Sequence, residues 1–169
     1  TGRHAYVRDL EAGGIIEQAY RIDAQARESG GDGLSHIVFM GMGEPLRNLD
    51  AVLTAAAAFA SPEGLGLSGR HITLSTAGVP DAIRRLAGMG LNYRLALSLH
   101  APNQAVREAI MPAAKRWPLS ELLPAMREFA KTASRDITFE YCLIDGVNAA
   151  PEQARELVRL VSPFRCKVN

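Results

Sequence analysis

One carboxylate stands in a glycine-rich turn early in the chain, within the segment Gly41-Met42-Gly43-Glu44-Pro45. An apolar run of strand length, His36 to Met40, leads directly into this turn. The two glycines let the backbone approach a ligand closely, because no Cβ is in the way. A carboxylate there repels phosphate and favours an amine, a pair of ribose hydroxyls or a metal ion. The alternative for Glu44 is a capping acid for the helix that follows, and the turn alone leaves both open.

Small polar residues end two further apolar runs in the same way. Ser75 and Thr76 close the second run, and their hydroxyls could hydrogen-bond a ligand carboxylate or a ribose. Ser98 and His100 close the third run, where His100 could donate a hydrogen bond, carry a proton or bind a metal. The absence of a partner at metal-ligand spacing argues against a metal at His100. The alternative for each of these side chains is that it satisfies nearby backbone groups.

A second carboxylate, Glu140, lies inside a fourth apolar run, Ile137 to Leu143. Alternation along a strand would turn either Glu140 or Tyr141 inward. A carboxylate in a barrel interior needs a partner, so Glu140 is either functional or paired structurally.

Five strand-like runs alternate with helical segments, and they begin near residues 36, 71, 93, 137 and 166. Helices are predicted over Glu11–Glu28, over Leu49–Ala60 with Asn48 as its cap, from Gly78 to about Gly88, over Asn103–Ile110, from a Ser120 cap to Thr132, and over Pro151–Val161. This alternation predicts an α/β fold with a parallel sheet and right-handed crossovers. An open doubly wound sheet and part of a β/α barrel both fit the pattern. In either architecture, ligands bind at the carboxyl ends of the strands.

The composition is that of an ordinary globular domain. The 169 residues are 47% hydrophobic and 22% charged, with a formal net charge of +1, so charge alone neither indicates nor excludes a nucleic-acid partner. No stretch is long and apolar enough for a membrane span, and the cytoplasm is the expected location. The two cysteines, Cys142 and Cys166, lack metal-ligand spacing, and each is expected to be a small buried hydrophobe in a strand.

Taken together, the motifs resemble one family. The matching segments are Gly-Met-Gly-Glu-Pro-Leu at 41–46, Asn48, Ser-Thr-Ala-Gly at 75–78, Leu-Ser-Leu-His-Ala-Pro at 97–102, Arg107, Met111-Pro112, Phe-Glu-Tyr at 139–141, Gly-Val-Asn at 146–148 and Lys-Val-Asn at 167–169. In this order and approximate spacing, the set resembles the radical S-adenosylmethionine (SAM) adenine carbon-2 methyltransferases, which modify 23S ribosomal RNA and certain transfer RNAs. The likeness extends over essentially the whole chain.

The resemblance implies a partial (β/α) barrel, truncated at both ends, with SAM across the carboxyl ends of its strands. It assigns SAM contacts to Gly43, Glu44, Ser75 and the segment Ser98-Leu99-His100. It also implies a [4Fe-4S] cluster that cleaves SAM reductively, a methyl-carrying cysteine, an electron donor such as flavodoxin, and a monomeric enzyme. A related subfamily methylates carbon-8 of the same adenosine, but Pro45 and Glu140 favour carbon-2.

The resemblance also marks departures from the family pattern. The Cys-x3-Cys-x2-Cys cluster motif is expected just before Thr1, and the methyl-carrying cysteine well beyond Asn169. Residues 1–169 are therefore expected to be a single core domain that contains neither catalytic residues nor metal ligands, and that is inactive alone. Ala114 and Ala149 replace an Asn and an Asp that are common in the family, which leaves the RNA substrate open. The alternatives are another radical SAM enzyme and a non-catalytic SAM-binding or RNA-binding module.

Overall fold

Helices and strands alternate along residues 7–169, which are the part of the chain that this computed structural model describes. The strands are β1 (Ile37–Phe39), β2 (Ile72–Thr76), β3 (Arg94–Ser98), β4 (Ile137–Glu140) and β5 (Cys166–Val168). The helices are α1 (Ala12–Glu28), α2 (Leu49–Ala60), α3 (Pro80–Ala87), α4 (Gln104–Ile110), α5 (Leu119–Thr132) and α6 (Pro151–Val161). Short 3-10 turns cover Pro45–Asn48, Gly69–His71 and Pro112–Lys115. No helix in this part of the chain is both long and apolar enough to cross a bilayer.

The five strands form one parallel sheet whose spatial order, β1-β2-β3-β4-β5, is also their order in the chain. An open doubly wound sheet reverses its strand order and carries helices on both faces, whereas the wall of a β/α barrel does neither. Here the apolar faces of the helices pack against one face of the sheet, the face that carries Leu74, Leu97 and Phe139. The parallel α/β prediction is therefore confirmed, and the strand order selects the barrel-type wall.

The core lies between that face of the sheet and the surrounding helices. Its main cluster contains these buried side chains: Leu46, Leu49, Val52, Leu74, Ile83, Leu86, Leu95, Leu97, Leu99, Leu119, Leu122, Ala125, Met126, Phe129, Ile137, Phe139, Val161 and Phe164. A second cluster packs α2 against the start of β2 through Ala55, Ala56, Phe59, Leu67 and Ile72. Apolar burial on this scale dominates folding, and it fixes the positions of the strand ends.

The opposite face of the sheet is more polar. Strand register places Ser75 beside Ala96, Ala96 beside Thr138, and Ser98 beside Glu140. Side chains alternate between the faces of a strand, so these residues share the face that the helices leave uncovered. The site residues thus belong to the concave side of the wall and to its carboxyl edge.

Three local predictions are wrong. Asn48 stands at the N-cap position of α2, but its side chain makes no capping hydrogen bond and its Nδ2 donates to the carbonyl of Leu10. Helix α5 begins at Leu119 with Pro118 at the N-cap position, so Ser120 already lies inside the helix. Strand β4 ends at Glu140 rather than Leu143, since the Cys142 backbone N–H turns to the imidazole of His100.

Candidate functional site at the carboxyl ends of the strands

Glu44 joins the first two strand ends. Its Oε1 accepts hydrogen bonds from the Leu46 backbone N–H (3.0 Å) and from the Thr76 hydroxyl (2.7 Å). Its Oε2 accepts one from the Ala77 backbone N–H (2.7 Å). The carboxylate therefore caps the 3-10 turn, as the alternative expectation had it, and also holds the Ser-Thr-Ala-Gly segment. A carboxylate has about four lone-pair sites, so one acceptor position on Oε2 remains for a ligand amine.

The glycines beside Glu44 and after β2 serve different purposes. Gly43 has φ +93°, and a Cβ built on it would meet no atom within 4 Å, so this turn stands open at the surface. Gly78 has φ +101°, and a Cβ there would lie 2.7 Å from Leu122 and 3.1 Å from Leu97. Gly43 thus serves the backbone conformation of an open turn, whereas Gly78 allows helix α5 to pack against the end of β2.

The two hydroxyls at the end of β2 also differ. The Thr76 hydroxyl is already hydrogen-bonded within the protein, because its Oγ1 donates to Glu44 and accepts from the Gly78 N–H (2.9 Å). Ser75 is 5% exposed on the concave face beside Ala96, and its hydroxyl takes no part in the hydrogen bonds that Thr76 makes with Glu44 and Gly78. Ser75 is therefore the hydroxyl that remains available to a ligand.

The third strand end brings Ser98, Leu99 and His100 to the same edge. The Leu99 side chain is fully buried in the core, its N–H donates to the Glu140 carbonyl, and its C=O accepts from Arg107. Leu99 is therefore placed to anchor Ser98 and His100 rather than to present a group of its own to a ligand. Ser98 is partly exposed on the concave face, and His100 is partly exposed just beyond it.

Arg107 bridges these strand ends through hydrogen bonds, although no role was assigned to it from the sequence. Its side chain is 0% exposed, and its guanidinium donates to the carbonyls of Ala77 (2.6 Å), Ser98 (3.3 Å), Leu99 (3.2 Å) and Trp117 (3.2 Å). Burial lowers the pKa of Arg107 to about 10, so the group stays charged at neutral pH. The fork of N–H donors suits such convergent carbonyls. The one signal in the sequence is a cation on a short helix directly after the histidine motif.

His100 has a left-handed backbone, with φ 55°. Its N–H donates to the Glu140 carbonyl (3.0 Å), and its Nδ1 accepts from the Cys142 backbone N–H (3.1 Å). Burial lowers the pKa of His100, as does the nearby Arg107, while Glu140 partly opposes them. The imidazole is therefore held in its neutral form at pH 7. Glu140 itself is paired, since its Oε2 accepts from the Asn169 side-chain amide (2.9 Å).

The cysteines and the acidic residues do not assemble a metal site. No group of three or more His, Cys, Asp or Glu side chains within residues 7–169 is arranged to hold a metal ion. Cys142 is exposed beyond the end of β4, so the expectation that it is a buried strand residue is wrong. Cys166 is partly buried against the core, and burial and the nearby Asp136 raise its pKa.

A family model described as the radical SAM superfamily matches residues 13–160. The chain belongs to the radical SAM superfamily. The resemblance drawn from the motifs is confirmed at this level, and with it SAM and a [4Fe-4S] cluster as the cofactors of the family. As a radical SAM protein, the chain is expected to bind its ligand at the strand ends described above.

Within this superfamily, the chain is similar to curated RNA methyltransferases. The chain is 44% identical over 169 residues to the probable dual-specificity RNA methyltransferase RlmN 2 of Protochlamydia amoebophila, covering all of this chain and 47% of that protein. It is 47% identical over 163 residues to the probable dual-specificity RNA methyltransferase RlmN of Symbiobacterium thermophilum, covering 96% of this chain and 43% of that protein. The crystal structure of a radical SAM methyltransferase from Sphaerobacter thermophilus superposes with a TM-score of 0.90 at 41% identity, covering 96% of this chain and 48% of that one. The chain thus spans about half the length of the proteins that it matches.

The donor and acceptor groups of this radical SAM site fit one of the two cofactors. SAM carries an ammonium, a carboxylate and ribose hydroxyls, for which the edge offers the remaining position on Glu44, the hydroxyls of Ser75 and Ser98, and the Nε2 of His100. A [4Fe-4S] cluster is held by cysteine thiolates, usually four. The chain has two cysteines, on β5 and beyond β4. These residues fit SAM and do not fit the cluster.

Proposed function

We propose that the protein carrying this chain is a radical SAM RNA methyltransferase, which adds a methyl group to carbon-2 of an adenosine in 23S ribosomal RNA and in certain transfer RNAs. The observation that carries the proposal is the similarity to RlmN proteins, at 43–47% identity along 96–100% of this chain. The site geometry supports it, because the polar side chains at the strand ends are complementary to the ammonium, carboxylate and hydroxyl groups of SAM.

Within the site, we assign each group a separate part of SAM. Glu44 accepts from the amino group through Oε2, and Gly43 provides clearance for the ligand. Ser75 and Ser98 donate from the concave face to carboxylate or ribose oxygens, and His100 donates from Nε2. Leu99 contributes the placement of its two neighbours, because its buried side chain anchors the strand end in the core.

The remaining parts of the reaction are assigned to other segments of the protein. When bound, SAM and the cluster supply the methyl group and the radical chemistry of its transfer. We place the cluster ligands in a loop before Thr1 and the methyl-carrying cysteine after Asn169, with residues 1–169 as one core domain. We further propose a monomeric, cytoplasmic enzyme that takes electrons from a donor such as flavodoxin.

The activity is tested with the full-length protein and unmodified ribosomal and transfer RNA. After anaerobic incubation with SAM and a reductant, nucleosides from digested RNA are separated and identified by mass spectrometry. The proposal expects 2-methyladenosine. The appearance of 8-methyladenosine instead would assign the protein to the related carbon-8 reaction, and no SAM-dependent product with a loaded cluster would support the binding-module alternative.

The assignment of Glu44 is tested by calorimetry on Glu44→Gln in the same full-length protein. Loss of a charge-assisted hydrogen bond to the amino group is expected to weaken SAM binding by about 1.5–3 kcal/mol. The control is Thr76→Val, which removes one hydrogen bond within the protein to Glu44 and leaves the carboxylate charge in place. Unchanged SAM affinity in Glu44→Gln, with reduced thermal stability, would restrict Glu44 to capping.

A further inference from the structure

His100 is the one non-glycine residue with a left-handed backbone among residues 7–169. A histidine does not adopt this conformation freely, so the surrounding contacts must hold it. Two contacts come from the backbone at the end of β4 and just beyond it: the Glu140 carbonyl accepts from the His100 N–H, and the Cys142 N–H donates to Nδ1. The orientation of the ring therefore depends on where the chain after β4 runs.

Asn148 holds the segment that follows β4 in place. It is 1% exposed, and its side-chain Nδ2 donates to the carbonyls of His100 (2.7 Å) and Cys142 (2.7 Å). Its Oδ1 accepts from the Ile144 N–H (2.6 Å), and its own carbonyl accepts from the Tyr141 hydroxyl (2.9 Å). The Asn148 side chain thus joins His100, which carries the imidazole ring, to Cys142, whose N–H donates to that ring.

The direction of the Cys142 hydrogen bond sets the protonation of the imidazole. A backbone N–H can only donate, so Nδ1 must present its lone pair, and in the neutral ring the proton is then on Nε2. The charged groups that act on this ring are Arg107 from α4 and Glu140 from β4, and they have opposite effects. Burial and Arg107 lower the pKa of His100, so the ring is neutral at pH 7 and the lone pair of Nδ1 can accept from Cys142.

We propose that Asn148 is a positioning residue, which holds His100 as the neutral tautomer with its proton on Nε2 and so supplies a fixed hydrogen-bond donor to the SAM site. The proposal rests on the proposed function, because it takes SAM as the acceptor. Asn148 acts through His100 and Cys142, and it has no contact with the ligand in this scheme.

The test is nuclear magnetic resonance on the full-length protein labelled with ¹⁵N-histidine, first without SAM. Two-bond ¹H–¹⁵N correlations are expected to show Nδ1 of His100 unprotonated and Nε2 protonated at pH 7, with a pKa below the ordinary histidine value. A proton on Nδ1 in the unmodified protein would overturn the proposal without any variant. Addition of SAM is then expected to shift the Nε2 resonance, and an unmoved resonance with SAM bound would refute the donor role while leaving the tautomer assignment intact.

The role of Asn148 is measured with Asn148→Ala, compared with Asn103→Ala. Asn103 caps α4 through the Val106 N–H and also binds Glu156, so its loss perturbs the same region without touching His100. Asn148→Ala is expected to raise the pKa of His100 towards its ordinary value and to speed exchange of the Cys142 amide about tenfold or more, while Asn103→Ala leaves both unchanged. Equal effects of the two variants, or no change in Asn148→Ala, would refute the positioning role.

Discussion

Replacement of Arg107 by methionine removes the only guanidinium that reaches the three strand-end carbonyls of Ala77, Ser98 and Leu99 among residues 7–169. Methionine keeps most of the length and apolar contact of the side chain, so the change isolates the loss of the donors. Four carbonyls, including that of Trp117, lose a hydrogen bond. At about 1 kcal/mol for each, and with partial repair by water, the expected loss of unfolding free energy is about 2–4 kcal/mol.

Arg107→Lys retains the charge and separates the contribution of geometry. An ammonium has three donors on a compact centre and cannot reproduce the fork, so we expect roughly half of the methionine effect. The matched control is Arg84→Met, at an exposed arginine that pairs with Asp81 and Glu128. Its expected effect is about 0–1 kcal/mol.

The assay is urea unfolding followed by circular dichroism, with calorimetric SAM binding on each folded variant. Because the carbonyls that Arg107 holds belong to the strand ends that carry Ser98 and the Ser-Thr-Ala-Gly segment, SAM affinity is expected to fall in both Arg107 variants. A loss of less than about 1 kcal/mol in Arg107→Met would show that water satisfies these carbonyls equally well, and it would refute the reasoning.

Three further predictions concern positions away from the ligand. Gly78→Ala places a Cβ against Leu122 of α5 and should lower the free energy of unfolding by about 2–4 kcal/mol. Gly90→Ala, at φ +61° with open space around it, should lower it by about 1 kcal/mol in the same assay. Equal losses in the two variants would refute the packing argument. Iodoacetamide at pH 8 should modify exposed Cys142 before Cys166, whose pKa burial raises, and peptide mass spectrometry showing the reverse order would contradict this. Asp23 has a pKa lowered by hydrogen bonds from an arginine side chain and a backbone N–H, so it stabilises the fold at neutral pH and loses that effect as the pH falls through its folded pKa. Asp23→Asn should therefore lower the melting temperature at pH 7 and approach the unmodified protein in acid, and a gap independent of pH would refute it.

The sequence determined the elements and the edge at which the site lies. Apolar runs of strand length alternate with amphipathic segments, and this pattern depends only on local periodicity, so the five strands and their parallel sheet could be predicted. The motifs at the strand ends also identified the family, and Glu44, Ser75, Ser98 and His100 lie at one edge as the pattern required. The wrong predictions concern the ends of helices and strands, such as Asn48, whose side-chain amide donates to the distant carbonyl of Leu10.

Only the tertiary structure decided the strand order, the face on which the helices pack, and the partners of each polar group. The periodicity along the chain is the same for an open doubly wound sheet and for a barrel wall, because both alternate short apolar strands with amphipathic helices. Glu44 accepts from residues more than 30 positions away, and Asn148 donates to a carbonyl 48 positions away. Arg107 reaches carbonyls on separate strands. Such contacts depend on how the packed core brings the strand ends together. The order of residue types along the chain does not indicate which distant carbonyl will lie within hydrogen-bond distance.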